Sequence, residues 1–471
     1  MRGQSVLVML NSIQHLIQRV HLKEGRISWK DAMRHALCSG DAMDKVDVII
    51  VGGGLAGLAC AYELADSGMM VLVLERGDFS GSKNVTGGRI YLNPLRNYLP
   101  DVWKEVPLER HVTKEIITLM GESNSTTLEL YSDRFSREPY PSYTILRAKF
   151  DRWFADLISE KGGFVVPQKN ADDLIKEGEK IVGIRAGDEE IGADCVVAAD
   201  GILSFMAEKA GLRKPFQPQH FALGFKEVVE LDPRAIEDRF RLGEGEGAAQ
   251  LFVGSLTKGM MGGGFLYTNR ESLSLGIVVG IHSLNRKEPR EEIYRLLDEF
   301  KARSEIKNLL KGGNTIEYSA HLITEGGIHI KPRVYTDGML VVGDAAGLGL
   351  NMLVTVRGME YAIASGVLAG RAIKRAKEKN DFSASSLAYY EKLLNESFIM
   401  KEMSTFQNTL TVLENERLFS KYPQVICDLF EKVMWVDEHS KESLYKTVYQ
   451  GLKENFLNLQ TFKDWLEFRK L

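Results

Sequence analysis

The 471-residue sequence predicts an α/β fold: a Rossmann-like nucleotide-binding domain, a β-rich domain inserted into it, and a C-terminal helical region. Three observations predict it. First, the apolar run Asp47-Val48-Ile49-Ile50-Val51 stops at Gly52-Gly53-Gly54, passes Gly57 into helix-compatible sequence, and is followed by Val71-Leu72-Val73-Leu74 and the acid Glu75. Strand, glycine turn, helix, strand and acid, in that order, form the dinucleotide-binding fingerprint. Second, Cys195-Val196-Val197-Ala198-Ala199-Asp200-Gly201 and Gly338-Met339-Leu340-Val341-Val342-Gly343-Asp344 each read as a buried strand that ends in a turn. Third, strand-like runs alternate with glycine-rich turns between them, from about 212 to 330, and the chain becomes helical and charged after about residue 380. One nucleotide fold is therefore assembled from distant segments around an insertion.

Each element has its own reason. Residues 1–42 do not resemble the rest: Val6-Leu7-Val8-Met9-Leu10 is apolar, but the polar sequence after it gives no clear secretory signal. A tag, an upstream start or an amphipathic arm fits, and Met43 stands where a protein of this fold normally starts. The first part of the nucleotide-binding domain is assigned to 43–211. There Gly52 permits the tight turn, Gly54 lets backbone approach a pyrophosphate, Gly57 lets helix and sheet pack closely, and Glu75 is placed for ribose hydroxyls. The phosphates dock at the positive end of the helix. A second helix opens at Leu146-Arg147 and ends at Gly162-Gly163. The insertion, 212–330, includes a strand over Leu273–Ile281 and the apolar, low-bulk stretch from Lys258 to Gly264. The nucleotide-binding domain resumes over 331–380, with helical sequence from Arg357, and 381–471 is helical, with Tyr389, Tyr390, Phe398, Phe406 and Trp435 as core anchors.

Composition removes several classes of function. A net charge of −4 with 26% charged residues gives no global basic field for nucleic acid. No apolar run approaches the roughly 18 residues needed to span a bilayer. The four cysteines, Cys38, Cys60, Cys195 and Cys427, are far apart, with no CxxC pair. That excludes an internal iron–sulfur cluster of the usual spacing, and such usage fits a reducing cytoplasm. No zinc-like histidine spacing or GxSxG elbow is present, and His321 and His329 read as satisfied polar residues. No metal site is expected. Neither the segment Gly243–Gly247 nor Gly262–Gly264 makes a second GxGxxG between strand and helix, so no dedicated nicotinamide domain is expected.

The glycine turn with its acid, the Arg147 helix, Asp200-Gly201 and Gly343-Asp344 occur in this order in the glutathione-reductase-like FAD fold. Within it the chain resembles the FixC family, relatives of electron transfer flavoprotein:quinone oxidoreductase. The closer resemblance rests on Gly262–Tyr267, Ser274–Gly280, the segment His321-Leu322-Ile323-Thr324-Glu325-Gly326-Gly327 and Thr355-Val356-Arg357-Gly358-Met359. It covers about residues 44–471. The resemblance implies an FAD-dependent oxidoreductase relaying electrons between an electron transfer flavoprotein and a quinone-type acceptor. It also implies a separate ferredoxin-like protein as carrier of the cluster, because single-chain relatives hold one near the end where this chain lacks the cysteines. It assigns Asp344 to a ribityl hydroxyl, and Arg147 and Arg76 to positions beside the FAD. Lys83, Gly87 and Gly88 fall in the loop passing close to it, and the helix near Arg357-Gly358 aims its positive end at the flavin. Asp200-Gly201 is also an ordinary turn pair. A prenyl-lipid (geranylgeranyl) reductase or a monooxygenase of the same fold, and a flavin-binding scaffold of a redox complex, are the alternative readings. The expected location is the cytoplasm, with peripheral contact at the inner face of the cell membrane.

Overall fold

The computed structural model describes residues 45–84, 87–214 and 217–471. The expectation for 1–42, and Cys38 with it, falls outside them. β1 (Lys45–Val51) is an interior strand, flanked in parallel by β2 (Val71–Leu74) and by β10 (Glu189–Ala198). β17 (Met339–Val341) continues the parallel set beyond β10, and β7 (Phe164–Val166) does so beyond β2. These strands are apolar nearly throughout, as strands buried on both faces must be. The register has a functional consequence: Val51 lies beside Leu74 and Ala198, and Ala198 lies beside Val341. Gly52, Glu75, Ala199 and Val342 therefore leave the sheet at one level, the carboxyl edge where ligands of open α/β sheets bind.

Helices pack over this sheet. α1 (Leu55–Ala65) follows the glycine turn directly, and α3 (Met359–Glu378) packs along it. The approach is close because α3 offers glycines: a β-carbon on Gly366 would stand 2.1 Å from the Ala56 carbonyl oxygen, and one on Gly370 would stand 2.7 Å from the Glu63 side chain. α2 (Arg147–Glu160) packs beside α1 and buries Phe150, Phe154 and Ile158 in the same core.

The second sheet has nine strands. Five of them, β11 (Phe221–Glu230), β12 (Glu246–Gly254), β13 (Gly262–Thr268), β14 (Ser272–Gly280) and β15 (Asn314–Thr324), come from the insertion. The other four, β3 (Gly88–Tyr91), β4 (His111–Met120), β5 (Ser125–Tyr131) and β6 (Ser142–Ile145), precede it in the chain. β4 pairs with β12 in parallel, so the sheet does not follow the 211/212 boundary drawn from the sequence. Its own core, around Leu266, Leu275, Ile277, Leu296 and Phe300, is separate from that of the first sheet.

Two sequence expectations need correction. Helical structure begins at Met359 and not at Arg357, because Val356–Arg357 pairs as a short strand with Leu350–Asn351. Trp435 is no core anchor: the helix α4 (Lys421–Met434) stops just before it and leaves the residue 65% exposed. Tyr390 is buried as expected, and Tyr389, Phe398 and Phe406 are partly buried against the core. Met260 and Met261 also join cores, which explains their place beside three glycines. Cys60, Cys195 and Cys427 are buried free thiols, and burial pushes the first two well up.

Candidate functional site

A chamber of about 1530 Å³ lies between the carboxyl edge of the first sheet and the second sheet. Pockets for a single small ligand hold roughly 300–1,000 Å³, so a dinucleotide and a second molecule both fit. Twelve of the sequence-predicted residues line it: Gly52, Gly54, Arg76, Lys83, Gly87, Gly88, Arg147, Asp200, Gly201, Asp344, Arg357 and Gly358. Gly57, Glu75 and Gly343 stand just behind. Gly57 has the packing role its position implies, since a β-carbon there would lie 2.1 Å from the Gly52 carbonyl oxygen. Glu75 accepts from the N–H groups of Gly53 (3.0 Å) and Gly77 (2.6 Å) and so braces the turn from behind. Gly343 donates its N–H to Ser365 Oγ at 3.0 Å.

Two helix N-termini open on this chamber, Gly54 before α1 and Gly358 before α3, and neither carries a side-chain cap. Their first N–H groups and positive dipole ends are thus available to an anionic or electron-rich ligand. At both glycines a β-carbon would meet nothing within 4 Å, a cradle left open by the protein itself. Gly87 has a different role. It sits at φ +76°, a β-carbon on it would collide with Ser274 Oγ, and its carbonyl accepts from the buried Lys226 at 2.6 Å.

The chamber's charges are mostly positive. Arg147 holds Asp151 with two hydrogen bonds of 2.8 Å and faces Asp344 electrostatically. Burial raises the Asp344 carboxyl, and Arg147 and Arg213 pull it back. Burial also pushes Lys226 well down, with Arg147 adding to the effect and Glu317 opposing it. His321 is lowered by burial and then by Arg147, Lys226 and Arg76. The Asp200 carboxylate accepts from Ser204 Oγ (2.9 Å) and the Met206 N–H (3.0 Å), so its hydrogen bonds are those of a turn and helix-start acid. Arg357 pairs with Glu360 and Glu402 amid the rings of Tyr91, Tyr361 and Phe398.

Among the described residues, three buried polar atoms on lining residues have no protein partner: Thr324 Oγ1, Glu325 Oε2 and Arg357 Nη2. Buried polar groups are normally satisfied, so this set fits a polar ligand. Together with the two open helix starts and the unfilled space at Gly54, it fits a flavin dinucleotide. Lys226, Glu325 and Asn351 were not anticipated as site residues. Glu325 lay within a recognised motif, but only folding brings Asn351 to it.

Comparison with known proteins agrees with this architecture. Three family models match: "FAD dependent oxidoreductase" over residues 47–138, "ETF-QO, ubiquinone-binding" over 221–323, and "ETF-QO/FixC family C-terminal domain" over 410–471. The chain is 40% identical to a probable electron transfer flavoprotein-quinone oxidoreductase of Escherichia coli K12, over 87% of its own length and 95% of the relative's. It is equally 40% identical to the FixC protein of the same strain, covering 88% and 97%. Among solved structures, a geranylgeranyl bacteriochlorophyll reductase-like protein from Thermoplasma acidophilum superimposes with a TM-score of 0.67 at 23% identity, over 90% of this chain and 100% of that one. The myxobacterial chondrochloren halogenase gives 0.59 at 20%, over 79% and 82%. These last two are likenesses of fold. The chain is an FAD-dependent oxidoreductase and belongs to the ETF-QO/FixC family.

Proposed function

We propose that this chain passes electrons from an electron transfer flavoprotein, through its FAD, to a quinone-type acceptor, and that a separate ferredoxin-like protein supplies an iron–sulfur cluster. The observation that carries the reading is the continuity of the chamber. It runs from the Gly54 helix start, beneath β11–β15, to an apolar end at Leu353, Val354, Phe419, Tyr422, Ile426 and Phe468. A polar compartment for a dinucleotide thus joins an apolar one suited to a ring with a hydrocarbon tail, and the ubiquinone-binding model matches the strands that roof it.

In this reading the pyrophosphate lies at Gly52–Gly54, with Arg76 and Lys83 as its charged neighbours. Glu75 braces the turn and reaches the ribose, Asp344 accepts from a ribityl hydroxyl, and Arg147 orients that acid. Gly87 and Gly88 leave room for the ring, and Gly358 at the start of α3 favours negative charge on it. Asp200-Gly201 and Gly343 shape the walls. FAD supplies the ability to accept electrons in pairs and release them singly; the residues supply binding, orientation and access. The wide exposed face of the C-terminal helices, with Met434, Trp435, Leu459 and Trp465, supports docking of the partner protein and peripheral contact with the inner face of the cell membrane. Among the described residues no helix is long and apolar enough to cross a membrane.

Rapid-mixing reduction of the purified holoprotein tests the donor side. With the ferredoxin-like protein present, bound FAD should be reduced by a reduced electron transfer flavoprotein, and with or without it scarcely by NADPH. Fast reduction by NADPH with no response to the flavoprotein would transfer support to the prenyl-reductase or monooxygenase reading. A flavin that no donor reduces at a useful rate would favour the scaffold.

A further inference from the structure

We propose that Glu325 is the proton donor to the quinone: a buried acid on the chamber wall, beside Asn351, with one carboxyl oxygen that has no partner among the described residues. This deepens the quinone reading above and rests on it.

Glu325 follows β15, and its backbone N–H donates to the His220 carbonyl at 2.8 Å, which fixes the residue beside the start of β11. The residue is 6% exposed, yet it lines the chamber. One contact of the carboxyl is with Asn351. The Asn351 Oδ1 already accepts from the Leu353 N–H at 2.9 Å, so its NH₂ is the group left to hold the acid. The other carboxyl oxygen, Oε2, has no partner among the described residues. An ionised carboxylate in such surroundings loses its hydration and gains one neutral donor. Burial accordingly raises this acid to about 7, and the Asn351 contact opposes the rise. The titratable groups on the turns packed against it are His220, before β11, and His329, in the turn Gly327–Ile330. His329 bonds away from Glu325, to the Gln407 carbonyl at 2.8 Å. An acid poised near neutral pH at the wall of a redox chamber suits general acid chemistry.

Quinone reduction needs such a group, because two electrons and two protons convert a quinone to a quinol. The electrons come from the reduced FAD. The Glu325 O–H bond breaks as an O–H bond forms on one quinone carbonyl oxygen, leaving Glu325 as carboxylate. The proton to the second oxygen and the proton that restores Glu325 come from solvent, which in turn takes up the protons released as the flavin is oxidised, so that two electrons and two protons reach the quinone.

Single-turnover oxidation of the dithionite-reduced holoprotein tests this with two acceptors: a short-tailed benzoquinone, which needs protons, and ferricenium, which does not. For Glu325→Gln the ratio of quinone rate to ferricenium rate should fall at least tenfold, and Glu325→Asp should recover part of it. The wild-type quinone rate should decline as pH rises through about 7, and the Gln variant should lose that limb. Infrared difference spectra give a readout independent of turnover: a protonated-carboxyl band that disappears near the same pH in wild type and is absent from the Gln variant. An unchanged ratio, equal slowing with both acceptors, or no such band would overturn the proposal. A wild-type protein that is oxidised by ferricenium and by no quinone would overturn the quinone reading itself, and this proposal with it.

Discussion

A β-carbon on Gly54 would meet no protein atom within 4 Å, whereas one on Gly52, at φ +112°, would lie 2.2 Å from the Ala199 carbonyl oxygen. The two glycines of one motif therefore fail differently. Gly54→Val should fold, with normal circular dichroism, and purify with little flavin, because its side chain occupies the space of the pyrophosphate. Gly52→Val should damage the fold. Flavin absorbance per protein, set beside the circular dichroism spectrum, separates them, and normal flavin in Gly54→Val would contradict the assignment. Asp344→Ala should be milder: a hydrogen bond to a charged acceptor contributes about 1.5–3 kcal/mol, so FAD should bind roughly ten- to a hundredfold more weakly by titration of the apoprotein. Glu325 carries a pH prediction. Its acidity in the fold is raised from the ordinary 4.5 to about 7, so its contribution to stability is complete below pH 4.5, is lost as pH rises towards 7, and is flat above. The loss is on the order of 3 kcal/mol. The melting temperature of Glu325→Gln should accordingly gain on wild type between pH 5 and pH 7.5, and parallel curves would contradict the buried-acid account.

At the scale of elements, the parts most legible in the sequence were those whose pattern is local. The β1 turn, the α1 start and the buried strands at Cys195 and Met339 each carry their own stop signal, so the carboxyl edge could be read directly. What could not be read depends on pairing across long separations. Nothing in the sequence of 88–145 says that its strands join the insertion's sheet, since β4 meets β12 only through a parallel pairing of distant segments. Asn351 is likewise tied to Glu325 by tertiary folding, and Arg357 is held out of α3 by a two-residue pairing with Leu350–Asn351. Trp435 was misplaced because an aromatic beside a helix usually signals a core, whereas here it lies with Phe430, Met434 and Val436 on an exposed face. That face makes a prediction of its own. Trp435→Ser combined with Trp465→Ser should reduce cosedimentation with anionic lipid vesicles while leaving flavin content intact. Unchanged cosedimentation would exclude these helices as the membrane contact.

For the whole molecule, three features bear on electron transfer: an FAD chamber closed by a sheet of mixed origin, an apolar exit towards the C-terminal helices, and four cysteines with no CxxC pair among them. The cofactor should be noncovalent, so heat or acid denaturation should release all the yellow colour as FAD. Colour left on the precipitate, or FMN in the supernatant, would contradict this. The most direct test of the central claim is anaerobic steady-state quinol formation by the holoprotein with a reduced electron transfer flavoprotein as donor, measured with and without the ferredoxin-like protein. The account predicts little turnover from the chain and flavoprotein alone and restored turnover when the third protein is added. Sustained turnover by the chain alone with NADPH as the only donor would contradict it.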